Sequence, residues 1–258
     1  MLDAYPSRAL GWVAYFKSNS DREAKLHFDS TNEIHLRPAL RDALVRTLQR
    51  FNLGESGEGE YLKKFAAKTG DHTYCRAIEL FVAEEQTHSR WFGLLLDKLD
   101  APRLEKHWSD AIFTRVRRAG GLHFELVTFL TAEIVGQKFF SQLARNCPDT
   151  LCSAVFSQVV RDESAHIAFH IGTLRHAFGG QSLLKRLRWH YQWKFMLTCA
   201  IAIVCLDQAD IFRQLRLSRK EFAAHCFETF GVVSKRIWAG QSQGSGLIAG
   251  QPATRPAQ

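Results

Sequence analysis

Glu85-Gln86-Thr87-His88 and Glu163-Ser164-Ala165-His166 decide the reading of this 258-residue chain. Both are Glu-x-x-His, and a three-residue step on an α-helix puts the two side chains on one face, able to bind the same metal site. Working outward, each motif has a further glutamate at the same offset: 85 − 55 = 30 residues separate Glu55 from Glu85, and 163 − 133 = 30 separate Glu133 from Glu163. The pattern is a repeated unit of one glutamate followed by Glu-x-x-His.

The residues around these positions read as helix throughout. From Pro38, apolar side chains recur at three and four (Leu40, Leu44, Leu48, Phe51), which predicts a first long helix running toward Gly70. Asp71 is a fresh N-cap, and Ile78, Phe81, Val82, Phe92 and Leu95 carry a second helix to about Asp100, before Pro102. A basic connection (Arg115, Arg117, Arg118, Gly120, Gly121) leads to a third helix ending at Asn146. Cys147-Pro148-Asp149 breaks the chain, and a fourth helix continues to about Phe178, before Gly179-Gly180. Two hairpins joined by a longer crossover predict an all-α, four-helix-bundle layout over 36–180. The remaining expectations are an extension over 1–35, further helix over 181–238 and a disordered tail over 239–258.

Helix rise tests whether the four acids and two histidines can meet. Glu55 is fifteen residues before Gly70 and Glu85 fourteen after Asp71, so both stand about 21–23 Å from their turn, and Glu133 and Glu163 match in the same way about theirs. All six side chains are predicted to converge at mid-bundle. Four carboxylates with one imidazole per metal favour iron or manganese over zinc, which usually takes a tetrahedral nitrogen or sulfur site. Without cations, four carboxylates in a low-dielectric interior repel one another and take up protons.

These residues resemble those of the ferritin-like di-iron carboxylate superfamily. Leu53-Gly-Glu55-Ser-Gly-Glu-Gly-Glu-Tyr61 is similar to the first-helix motif of rubrerythrins and ubiquinone-biosynthesis hydroxylases, and Glu84-Glu85-Gln-Thr-His88 with Asp162-Glu163-Ser-Ala-His166 resembles the paired motifs of acyl-carrier-protein desaturases. The resemblance covers about residues 40–178. It implies a ferritin-like bundle binding two iron ions through Glu55, Glu85, His88, Glu133, Glu163 and His166, with Glu84 and Asp162 orienting the histidines. It also implies an O2-dependent oxidoreductase, a hydroxylase, monooxygenase or desaturase acting on an organic substrate. A ferroxidase or a peroxide-scavenging protein of the rubrerythrin kind is the alternative, and a metal-free helical adaptor binding acidic partners is a third. The chain has no flavin or nicotinamide fingerprint and no rubredoxin-like cysteine set, so a separate electron-donor protein is expected.

Several positions stay open on sequence alone. Gly54, Gly57 and Gly59 crowd the first helix and mark either a distortion beside the metals or a loop; in a loop, Glu58 or Glu60 could replace Glu55. His170 stands one turn beyond His166, as an additional ligand, a proton-transfer residue or a hydrogen-bonded neighbour of the site. Gln137 and the aromatics Tyr61, Phe81, Trp91, Phe129 and Phe140 are candidates for the cavity wall.

Composition fits this frame. The six cysteines form no CxxC pair, in keeping with reduced thiols in a cytoplasm, and with Asp3, Arg8 and Lys17 interrupting the early apolar residues export is not expected. The longest apolar stretch, Phe195 to Leu206, is too short to span a bilayer. A net charge of +8 concentrates partly in Lys185-Arg186-Leu187-Arg188-Trp189-His190-Tyr191-Gln192-Trp193-Lys194. That segment has three readings: contact with a membrane surface, docking of an acidic carrier protein or RNA, or a solvated helix beside a buried one.

Overall fold

The computed structural model describes residues 5–19, 22–26, 28, 33–57, 59–108, 112, 115, 121–178 and 181–239. Among them there is no strand, and the chain is all-α. Helices α1 (Ala9–Lys17), α2 (Pro38–Gly54), α3 (Glu60–Lys68) and α4 (His72–Lys98) precede the crossover. After it come α5 (Gly121–Asn146), α6 (Thr150–Phe178), α7 (Leu183–Asp207), α8 (Ala209–Gln214) and α9 (Arg219–Trp238). Arg117, Arg118, Gly120, Gly179, Gly180 and residues 240–258, and with them the expected tail, lie outside the described residues.

The boundaries follow from local chemistry. Pro38 opens α2 where its missing N–H costs nothing. The Asp71 carboxylate accepts from the Thr73 and Tyr74 amides and caps α4. At the second hairpin Asp149 does the same for the Cys152 amide at 2.8 Å. Helices α2 and α4 pack together, α5 and α6 pack together, and α4 meets α6. Phe51 of α2 closes the fourth side, its ring centroid 4.6 Å from that of Phe140 and 5.4 Å from that of Phe139, both on α5.

The N-terminal segment belongs to this core. Helix α1 packs on α4 and buries Trp12 and Phe16, whose rings meet Phe169 of α6. At the other end, α7 and α9 pack on α5, and α8 packs on α2.

The first long helix is broken. Helix α2 ends at Gly54, and α3 begins at Glu60 after a turn. Gly59 is the reason: it sits at φ +61, and a Cβ there would come within 2.5 Å of Val82 Cγ2. Only glycine takes that conformation without strain and lets the chain pass so close to α4.

Candidate metal centre

Glu55 occupies the C-cap of α2 and keeps helical backbone angles, its amide still bonded to the Phe51 carbonyl at 2.9 Å. The helix therefore delivers the Glu55 carboxyl to the interior on its last turn, close enough to Glu85 and Glu133 to feel the charge of both. Of the alternatives to Glu55, Glu60 is exposed and pairs with Lys64 at 3.6 Å, away from the centre. Glu58 lies outside the described residues.

Glu85 from α4, Glu133 from α5, and Glu163 and His166 from α6 present ligand atoms that all lie within 4.8 Å of one another. The Nδ1 of His166 is 2.6 Å from Glu85 Oε1, 3.3 Å from Glu163 Oε2 and 3.6 Å from Glu133 Oε2. The Nδ1 of His88 is 3.9 Å from Glu85 Oε2 and 3.6 Å from Glu163 Oε1, and it is buried without a hydrogen-bond partner. Glu85 and Glu163 thus each turn one oxygen toward His166 and the other toward His88.

The outer nitrogens are held crosswise between helices. His88 Nε2 on α4 meets Asp162 Oδ2 on α6 at 3.1 Å, and His166 Nε2 on α6 meets Glu84 Oε2 on α4 at 2.8 Å. These two acids are themselves anchored. Asn19 donates to Glu84 Oε1 at 2.7 Å, Gln158 donates to Asp162 Oδ1 at 2.8 Å, and the Arg22 guanidinium contacts both acids. The Glu-x-x-His motifs do not point to Asn19, Arg22 or Gln158; the neighbouring acids Glu84 and Asp162 implied only that some cation or donor must stand opposite them.

Burial and mutual repulsion drive the proton affinities of these groups apart. Burial, with Glu85 and Glu133 next in effect, holds the Glu55 carboxyl well above its usual range. Glu163 is pushed up for the same reasons, burial first and then Glu133 and Glu85. Burial also raises Glu133, but the nearby Glu163 carboxyl and the His166 and His170 rings outweigh it and leave the group lowered. Burial opposes the charge on His166, yet Glu85 and the hydrogen-bonded glutamates raise its pKa well above the ordinary value. For Glu84 burial is likewise outweighed, by the His166 hydrogen bond and charge, and the carboxyl falls to about 2. His88 is lowered, chiefly by burial.

The donor set is one that could hold divalent metal: carboxylates and imidazoles converge, both histidines turn Nδ1 toward Glu85 and Glu163, and the Nδ1 of His88 is buried without a hydrogen-bond partner. His170 is fully buried, with Nε2 3.7 Å from Glu133 Oε1 and its ring 5.0 Å from that of Phe81.

A cavity of about 310 Å³ adjoins the carboxylates. Glu55, Glu85, Glu133 and Glu163 border it, Arg50, Asp207 and Gln208 add further polar groups, and Phe81, Phe129, Met196, Ala200, Ile203 and Val204 line it with apolar surface. Of the aromatic candidates, Phe81 and Phe129 do line the cavity. Phe140 and Trp91 are buried in the core, Tyr61 is exposed, and Gln137 donates to Ser164 at 2.7 Å instead.

No family model, curated protein or solved structure matches the chain.

Proposed function

We propose that the chain is a ferritin-like di-iron carboxylate oxidoreductase that uses O2 to hydroxylate or dehydrogenate an organic substrate held in the cavity. One observation carries the reading: Glu85 and Glu163 each face both histidines, the disposition a pair of carboxylates needs to bridge two metals. A surface acid cluster has no reason to be buried, duplicated and backed by oriented imidazoles.

Within that reading Glu55, Glu85, His88, Glu133, Glu163 and His166 would together hold the two ions. A ferrous pair held there would supply the electrons for reduction of O2. The protein's part is positional. Asp162 and Glu84 fix the two imidazole rings by accepting from Nε2–H, which leaves each Nδ1 free to donate its lone pair inward. The apolar wall excludes water and aligns the substrate against the carboxylate end. Electrons come from a separate donor protein. An iron oxidase needs no organic substrate, and the apolar cavity beside the carboxylates favours the oxygenase over that alternative.

Metal analysis of protein produced with iron tests the reading. About two irons per chain are expected, with an absorption change when the reduced protein meets O2 and loss of both in Glu133→Ala and His166→Ala. A metal-free protein whose melting is indifferent to chelator would sink it. Catalytic iron oxidation with no organic substrate consumed would transfer the assignment to an iron oxidase.

A further inference from the structure

Helix α7 is 25 residues long and leaves one face uncovered. Leu184, Arg188, Tyr191, Phe195, Cys199, Ala202 and Leu206 follow one another at steps of three and four, and all are exposed. They form a single row that extends roughly 33 Å along the helix. The large apolar members are open to solvent to an unusual degree: Leu184 79%, Tyr191 66%, Phe195 71% and Leu206 74%. The opposite face is occupied, since Trp193 is buried and donates to Thr131 at 2.9 Å and Trp189 packs on Phe178. Exposed apolar surface of this extent on an ordinary soluble helix is a sign of something that covers it.

The charges on the helix identify the cover. From Leu183 to Leu206 there is no acidic residue, while Lys185, Arg188 and Lys194 are exposed among the apolar side chains. A second copy of α7 laid on this face has no carboxylate within that stretch to offer those cations. An anionic lipid surface satisfies both features, taking the leucines and Phe195 among its acyl chains and the cations among its headgroups. No helix among the described residues is long and apolar enough to cross a membrane, so the contact runs along the surface.

The cavity bears on the same face. Cys199, in the exposed row, is also part of the cavity wall, as is Ile112, itself 43% exposed. The apolar lining is therefore continuous with the outer surface of α7.

We propose that the outer face of α7 docks on an anionic lipid bilayer, with the cavity opening on the docked side. The docking goes beyond the metal reading and does not depend on it.

Vesicle flotation of the full chain tests the docking, using phosphatidylcholine vesicles with and without phosphatidylglycerol. The wild type is expected to float with the anionic vesicles and at least about tenfold less with phosphatidylcholine alone. Leu184→Glu/Phe195→Glu and, separately, Lys185→Glu/Arg188→Glu/Lys194→Glu are each expected to cut the bound fraction by at least about tenfold. Circular dichroism and melting of both variants should match the wild type, because every replaced side chain is exposed. Wild-type protein that stays unbound to both vesicles overturns the proposal, as do variants that both float normally. A dimer that Leu184→Glu/Phe195→Glu turns into a monomer, with no flotation, overturns it in favour of a second copy. Iron content plays no part in the readout, so failure here is distinct from failure of the di-iron assignment.

Discussion

The Nε2 of His88, on α4, lies 3.1 Å from Oδ2 of Asp162, on α6, and Asp162 directly precedes the glutamate that turns one oxygen toward each histidine. Each Glu-x-x-His motif is preceded by an acid that serves the histidine of the other motif, so the two helices hold each other's rings. Asp162→Asn replaces the accepting carboxylate with an amide of the same shape. Metal affinity measured by iron or manganese titration is expected to fall about 10- to 100-fold. Glu84→Gln should do the same through His166. Variants that bind metal like the wild type would remove the positioning role from these acids.

Arg22 contacts both of those acids from the segment between α1 and α2, with its side chain 18% exposed against 0% for Asp162. Arg22→Ala leaves the fully buried Asp162 carboxylate stranded from its cation, with only the contacts to His88 and Gln158 remaining. The expected loss is about 3 kcal/mol, the lower end for one partner removed from a buried pair. For a chain of this size that lowers the melting temperature by roughly 6–12 °C. In the Asp162→Asn background the same substitution should cost clearly less, because the stranded charge is gone.

Glu163 sets the pH response of the metal-free protein. Its folded pKa is raised, chiefly by burial, above the ordinary 4.5, so ionisation opposes the fold. The sign is that of a raised acid: stability falls as pH rises above 4.5 and stops falling once the folded pKa is passed. Glu163→Gln removes that ionisation. Chelated Glu163→Gln is expected to melt above chelated wild type, by on the order of 1 kcal/mol, with the gap wider at pH 8 than at pH 5. Metal must displace the protons on Glu163 and Glu55, so wild-type metal affinity should rise with pH over the same range. An equal gap at both pH values would show that Glu163 is ionised without metal.

Gly136 lines the cavity from the middle of α5, and a Cβ built there meets nothing within 4 Å. Gly136→Ala should stabilise the helix by about 0.5–1 kcal/mol, read as a rise in melting temperature. Gly136→Leu projects a full side chain into the void. Iron content should hold while fluorescence of a bound apolar dye such as anilinonaphthalene sulfonate drops severalfold. Unchanged dye binding would place the ligand space elsewhere.

The helices, and the convergence of Glu85, Glu133, Glu163 and His166, were legible because their signals are periodic. Starts at Pro38 and Asp71 and ends at Asn146 and Phe178 follow from capping and breaking residues, and the paired 30-residue offsets follow from two hairpins of equal reach. What was not legible depends on tertiary contact. The fate of the glycine cluster turned on Val82, which is distant in sequence, and Arg22 reaches the centre from a segment with no periodic pattern. Trp189 and Trp193 sit beside cations in the sequence, yet packing buries Trp193, seats the half-buried Trp189 against Phe178 and leaves Tyr191, Leu184 and Phe195 outside. Burial of large side chains against α5 and α9 overrode local composition there.

Gly59 links this geometry to the carboxylates that border the cavity. Its φ of +61 and the 2.5 Å approach of a Cβ to Val82 Cγ2 are two separate objections to any side chain. Gly59→Ala is expected to cost about 1–3 kcal/mol, and the re-entry of α3 that it disturbs lies four residues beyond Glu55. Metal bound per chain should fall with stability, because Glu55 rides on the turn that must shift. Val82→Ala in the same chain removes the clash and leaves the left-handed backbone, so it should recover only part of the loss. Gly57→Ala is the control: a Cβ there meets nothing within 4 Å, and melting within about 0.5 kcal/mol of wild type is expected. If Gly59→Ala loads metal like the wild type, the turn does not set the position of Glu55.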